Sequence, residues 1–262
     1  MISLGLSIPM LARPRGGGGG GGGIVTSGLV LHLDAGNAAS YPGSGTAWTD
    51  LSGNGNNGTL TNGPIFSAAN VGQIVFDGTN DFVAIAGSSS LAFNTGDFTI
   101  ETWFRLSSVT TDFDYIYSVG YGTSQHNEYS LRFGNSGFGN RLQFAVDASS
   151  DSTTYSFPED KTALLNTWVQ FVHTREGGIN RAFINGSARN FNNGIIPTIY
   201  PLNSFNSSLG SATQFSSSLA RAQTFGDFYA PMSNAIFRIY NRALSASEVT
   251  QNWNTNRGSF GL

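Results

Sequence analysis

Five Asn-Gly pairs, Asn54-Gly55, Asn57-Gly58, Asn62-Gly63, Asn185-Gly186 and Asn193-Gly194, interrupt this chain. Both residues tolerate positive φ and Asn can bond its own backbone, so each pair reads as a hairpin or tight turn. Gly53, Gly55 and Gly58, in the stretch DLSGNGNNGT, also spell G-x-G-x-x-G. That spacing cradles a pyrophosphate only where a strand leads in and a helix leads out. Here TLTNGPIF follows, and its further turn signal and Pro64 leave no room for the first turns of a helix. The glycines are therefore expected to serve backbone geometry, not phosphate.

Between the turns lie short β-like runs. They are Leu29–Asp34, Gln73–Asp77, Phe82–Ala86, Phe98–Leu106, Tyr115–Gly120, Tyr129–Phe133, Arg141–Asp147, Thr167–Arg175, Arg181–Gly186, Ser208–Ala212 and Ala235–Asn241. In FTIETWFRL the set Thr99, Glu101, Trp103, Arg105 faces one way and Phe98, Ile100, Thr102, Phe104, Leu106 the other, as a half-buried antiparallel strand requires. Many short strands with turn punctuation predict an all-β, two-sheet sandwich. One helix is expected near the C-terminus. Ser245 and Glu248 form a capping-box signature, and Val249 and Trp253 share a face that would pack across one edge of the sandwich and close one end of its core. Trp103 or Trp168 should be buried between the sheets. Trp48, among the turn residues GSGTAWTD, should matter much less.

Charged residues make up only 11% of the 262 residues against 13% aromatics, a β-rich balance with few surface ion pairs. A net charge of -3 with no run of Lys or Arg provides no footprint for a nucleic-acid backbone. Cysteine is absent, so disulfides and thiolate metal sites are excluded. The opening MISLGLSIPMLARPR carries Arg13 and Arg15 after its apolar stretch, unlike a secretory signal, and no run approaches the ~20 apolar residues of a bilayer span. Gly16 to Gly23 are eight consecutive glycines, which behave as a flexible tether. Three regions follow: a docking peptide at 1–15, a glycine-rich linker at 16–27 and one domain at 28–262.

Catalytic constellations are missing. His32, His126 and His173 lack metal spacing, and no G-x-S-x-G elbow occurs. Glycosidic hydrolysis needs two carboxylates across the sugar, but among Glu101, Glu128, Glu159, Glu176 and Glu248 only Glu101 sits within a clear strand, with no second acid beside it. The turn carboxylates Asp34, Asp50, Asp77 and Asp81 read as caps that bond nearby N–H groups, although together they could also gather one calcium.

The segments LVLHLDAGN, WTDLSGNGNNGTL, IVFDGTNDFV, FTIETWFRL, NTWVQFVHT, AFINGS and AIFRIYNRALSASEVTQNWN, spanning Gly28 to Asn256, resemble the concanavalin A-like lectin/glucanase superfamily, in particular its laminin-G-like and pentraxin-like jelly rolls. The resemblance implies an antiparallel jelly roll whose first strand pairs near its last, and a domain that binds carbohydrate or protein. The E-x-D-x-x-E strand of the glucanase branch is absent, so no enzyme is expected. GYGTSQHNEYSLRF is similar to the pentraxin calcium and ligand loop, but His126-Asn127 stands where an Asp-Asn pair would supply a carboxylate. Tyr121, His126 and Asn127 are the expected sugar-contacting patch, a stacking ring beside hydrogen-bonding groups. No metal or other cofactor is expected, with Ca²⁺ left open.

The combined reading is a virion structural or adhesive protein, a bacteriophage head fibre, decoration or tail-associated protein. It would be anchored to a larger assembly through residues 1–15 and would display a lectin-like domain to a surface glycan or protein. Nucleic acid and a membrane span are not expected, and a homo-oligomer stays open. The alternatives are a secreted, extracellular bacterial carbohydrate-binding module and a glycoside hydrolase.

Overall fold

The computed structural model describes residues 22–91, 93, 96–121, 128–148, 151–189, 215–219 and 228–262. In chain order the strands are β1 (Leu29–Asp34), β2 (Ala47–Trp48), β3 (Gly58–Thr61), β4 (Ile65–Ser67), β5 (Gln73–Val75), β6 (Phe82–Ile85), β7 (Phe98–Leu106) and β8 (Asp114–Tyr121). Next come β9 (Glu128–Phe133), β10 (Arg141–Ala148), β11 (Asp151–Asp160), the one-turn helix α1 (Lys161–Leu164), β12 (Val169–Glu176), β13 (Ile179–Ile184), β14 (Ser187–Arg189), β15 (Phe215–Leu219), β16 (Met232–Tyr240) and α2 (Ala246–Asn256).

They form two antiparallel sheets. The first runs β14-β13-β12-β7-β16-β5-β4, with β1 also paired to β16; the second runs β11-β10-β9-β8-β15-β6-β3-β2. The first strand thus lies beside the last, with Leu33 opposite Phe237. The predicted Ser208–Ala212 run and the Asn193-Gly194 turn lie outside the described residues. Strand β11, which no alternation signalled, is an edge strand, and there Pro158 breaks no ladder.

The turn chemistry follows the sequence closely. Asn185 and Gly186 have φ of 53° and 73°, and between Ile184 and Ser187 they make the two-residue hairpin linking β13 to β14. In DLSGNGNNGT, Gly53 and Gly55 have φ of 86° and 74°. Gly58 differs from the expected turn role. It opens β3, and a Cβ there would lie 2.8 Å from Val83 Cγ1 and 3.2 Å from Leu33 Cδ1, so its small size permits close sheet packing. A strand, not a helix, leaves the motif.

The main core lies between the sheets. Leu31, Leu33, Phe98, Ile100, Phe104, Phe171 and Phe237 from the first sheet meet Tyr117, Tyr129, Leu131, Phe133, Phe144 and Phe157 from the second. Trp48 belongs to this core with no exposed surface, contrary to its expected peripheral role. Its neighbours are turn-like, but the two-residue strand β2 pairs with β3 and carries the ring inward.

The opposite face of β7 is buried as well. Trp103 and Trp168 are buried, yet not between the sheets. They form a second cluster with Ala235, Ile236 and Phe260 on the outer side of the first sheet. Helix α2 covers this outer face, not an edge. Its N-terminus is the expected capping box, with Ser245 and Glu248 bonded reciprocally. Val249 is buried, but Trp253 is only partly so and stacks on Trp103 at 5.3 Å between ring centroids. It therefore caps the sheet's outer face and does not close the core.

Candidate functional site

Of the expected sugar-contacting residues, His126 and Asn127 lie outside the described residues, and Tyr121 is the last residue of β8, where only its backbone is described. Register places this tip at one end of the second sheet. Tyr121 pairs with Phe215, Gly120 with Glu128, and Glu128 with Asp147.

The candidate calcium carboxylates serve their turns. Asp50 accepts from the backbone N–H groups of His32, Ser52 and Asn56 at 2.8, 2.8 and 3.0 Å. Asp34 accepts from Gly36 N and Asp77 from Thr79 N, while Asp81 accepts from Asp77 N. Burial, the largest influence on Asp81, raises its pKa. Among the described residues no group of three or more His, Asp or Glu is placed to hold a metal ion.

Glu101 is a structural acid. Its side chain is fully buried beneath α2, where Oε1 accepts from Trp103 Nε1 at 3.1 Å, Gln170 Nε2 at 2.9 Å and Arg238 Nη1 at 3.1 Å. Oε2 accepts from Asn252 Nδ2 of α2 at 2.8 Å. Arg238 also donates to Asn256 at 3.0 Å. Substrate has no route to a carboxylate whose oxygens are occupied by four donors under a helix. His173 is equally inaccessible. It packs between the sheets against Phe144, 3.9 Å between ring centroids, with Nε2 3.0 Å from Asn180 Oδ1. Burial pushes its pKa down to about 3, so the ring is neutral. His32 is on β1, its neighbours Leu31 and Leu33 being the ones that face the core, so the two histidines lie on opposite sides of the first sheet.

The same helix fastens the incoming chain. Val25 N donates to Asn252 Oδ1 at 2.8 Å, and Tyr240 Oη donates to the Val25 carbonyl at 3.1 Å. Gln251 Nε2 and Thr255 Oγ1 donate to the carbonyls of Gly23 and Gly22 at 2.7 and 3.4 Å. Gly22 and Gly23 therefore lie along α2, on the outer face of the first sheet.

A different grouping stands at the end of the second sheet opposite the β8–β9 tip. Arg132 on β9 projects outward, since Leu131 and Phe133 face the core. Its guanidinium lies over the rings of Phe113, 4.8 Å to the centroid, and Tyr115, 5.4 Å, and it donates to Tyr115 Oη. Phe228 stacks on Tyr115 at 6.2 Å and meets Phe113 edge-on at 5.8 Å, and Phe138 lies 5.7 Å from Phe113. Phe138 is 59% exposed. The Asn135–Phe138 turn that carries it is held by Asn135 Oδ1, which accepts from Gly137 N at 3.0 Å. The loop before β8 is held from below. Lys161 Nζ pairs with Asp114 at 2.8 Å, both side chains fully buried, and also donates to the carbonyls of Thr110, at 3.1 Å, and Asp112. Burial raises the Asp114 pKa, and the hydrogen bonds from Lys161 and Thr110 oppose it. The rings come from three separate connections, so no local stretch of sequence announces them. Only the outward setting of Arg132 in YSLRF was within reach of a period-two reading.

Residues 77–250 match the family model described as the concanavalin A-like lectin/glucanases superfamily. The chain belongs to that superfamily. The match begins after β5, and β1 adds to the matched region by pairing with β16.

Known structures give the same architecture. One, reported as "Cell entry of botulinum neurotoxin type C is dependent upon interaction with two ganglioside molecules", aligns at a TM-score of 0.63 and 15% identity over 87% of this chain and 51% of its own. The binding domain of botulinum neurotoxin DC in complex with rat synaptotagmin II aligns at 0.64 and 15% identity, over 88% and 52%. The same binding domain in complex with SialylT aligns at 0.64 and 14%, over 87% and 52%. This superfamily member thus spans about half the length of those chains, and the likeness is one of fold. No curated protein matches the sequence.

Proposed function

We propose that this chain is a non-enzymatic virion protein, a head fibre, decoration or tail-associated protein, anchored through residues 1–15 and displaying its lectin-like domain to a glycan or host surface. The observation that carries the reading is the fastening of Gly22, Gly23 and Val25 along α2. Those bonds hold the first described residues against α2 on the outer face of the first sheet, while the aromatic and Arg132 cluster lies on the second sheet. Six glycines, Gly16 to Gly21, precede that clasp, a composition that suits a flexible tether. Two structural neighbours are botulinum neurotoxin binding domains in complex with rat synaptotagmin II and with SialylT, and a displayed binding domain needs no reaction centre.

The test is a truncation. Removing Met1 to Gly21 keeps the α2 clasp, so the thermal transition should be unchanged, while mass spectrometry of purified particles should find the full chain incorporated and the truncated one absent. Incorporation of the truncated chain, or particles lacking the full one, would overturn the anchoring.

A further inference from the structure

We infer that the Arg132 cluster is a binding site for an acidic saccharide, with the guanidinium taking a sugar carboxylate and the Phe138 and Phe113 rings stacking on the pyranose face. The inference rests on the proposed binding role and specifies its ligand class and location.

Among the described residues no carboxylate pairs with Arg132; its Nε is buried without a hydrogen-bond partner, its Nη1 donates to Tyr115 Oη, and its Nη2 stands 3.5 Å from Thr154 Oγ1, a weak contact that a ligand oxygen can replace. The charged groups nearby are otherwise committed or exposed. Asp114 is spent on Lys161, while Asp112 and Arg141 lie at the surface on the flanking segments. A guanidinium already held over two rings and bonded to Tyr115 Oη loses little further freedom when it binds, and its Nη2 end is the part left to donate to a carboxylate.

The rings provide the second half of the recognition. Phe138 is among the few exposed large hydrophobic residues described, and it is set on a turn fixed by Asn135 and Asn140, whose N–H bonds the Asn135 carbonyl at 3.1 Å. A sugar ring presents one apolar C–H face and a polar rim. An exposed aromatic edge beside an unpaired cation is complementary to that pattern when the rim carries a carboxylate. A neutral sugar would leave the Arg132 charge unmet, and a protein partner would need a far larger contact than this cluster provides. The buried Lys161–Asp114 pair and the paired strands β8, β9 and β10 keep the groups in place without ligand, so the site is preformed.

The test uses the full chain against trigalacturonic acid and sialyllactose as carboxylate probes, with maltotriose and lactose as neutral controls, by titration calorimetry at low and raised salt. The carboxylate probes should bind at least about tenfold more tightly than the neutral ones, and the difference should shrink as salt rises. Arg132→Gln should remove about tenfold or more of that affinity, and Arg132→Lys should recover only part of it. Because Arg132 packs on rings, the exposed Phe138→Ser provides the second arm: it should weaken binding several-fold with an unchanged melting temperature. Carboxylate probes that bind with both variants unaffected would overturn the site while leaving the binding role intact. Equal affinity for neutral and acidic probes would overturn the acidic class alone, and no binding to any saccharide would overturn this inference together with the glycan reading.

Discussion

Replacing Glu101 by Gln is the sharpest perturbation of this fold. The carboxylate is fully buried and receives four hydrogen bonds, from Trp103, Gln170, Arg238 and Asn252. The amide keeps one acceptor oxygen but sets an NH₂ against one of these donors, and it leaves Arg238, whose side chain is 1% exposed, without its counter-charge. Removing one partner of a buried pair costs about 3–5 kcal/mol. That is a large share of the ~5–15 kcal/mol that holds a typical domain together. For a chain of this size it corresponds to a fall in Tm of about 6–20 °C. Urea unfolding followed by tryptophan fluorescence gives the free energy, and Trp103 and Trp253 make the signal sensitive to the α2 interface. The paired variant Glu101→Met with Arg238→Met removes both charges and should recover much of the loss. A Glu101→Gln protein within about 0.5 kcal/mol of wild type would mean that the acid is not the post on which α2 stands.

Other outcomes follow from the same structure. Trp48→Ala should cost about 3–5 kcal/mol, as a fully buried core ring, while Trp253→Ala should cost about 1–2 kcal/mol, since it is partly exposed and stacks on one side; chemical denaturation separates the two. His173 has its pKa lowered by burial to about 3, below its unfolded value, so the unfolded chain takes up a proton first. Stability should therefore fall as pH drops from about 6.5 towards 3, by up to ~1.4 kcal/mol per unit, and melts of His173→Gln should lose that part of the slope. Arg242, together with the cap at Ser245, holds the Glu248 carboxyl down to about 2, so its contribution is present above the ordinary carboxylate range and is lost as pH falls towards 2. That pair is partly exposed, so high salt should shrink the effect, and Glu248→Gln should flatten the acid limb of the melting profile only slightly.

Much of the architecture was legible where side-chain period and local chemistry agree. The alternation in FTIETWFRL named the right two faces of β7, and Ser245 with Glu248 marked the start of α2. What the alternation could not reveal was that both faces of β7 are buried, since the cover on the outer one comes from a helix well over a hundred residues away in the chain. That misdirected the reading of Trp103 and Trp253. Trp48 was underrated for a related reason: a two-residue strand carries no period, and only its pairing with β3 turns the ring inward. Strand β11 reads as a loop because Ser152, Thr153, Thr154, Ser156 and Pro158 suit an exposed edge as well as a turn. Among candidate site residues, the dismissal of Glu101 as a catalyst rested on its missing partner acid, and its four donors now supply a physical reason. The Arg132 cluster was out of reach, because Phe113, Phe138 and Phe228 meet only through sheet register.

Saccharide binding without any change to the bound sugar is open to one experiment that addresses both halves. The full chain is applied to an oligosaccharide array, and each sugar it retains is incubated with it in solution and weighed by mass spectrometry. The expected result is saturable retention of carboxylate-bearing sugars whose masses stay unchanged. Shortened products, or an array with nothing retained, would contradict it.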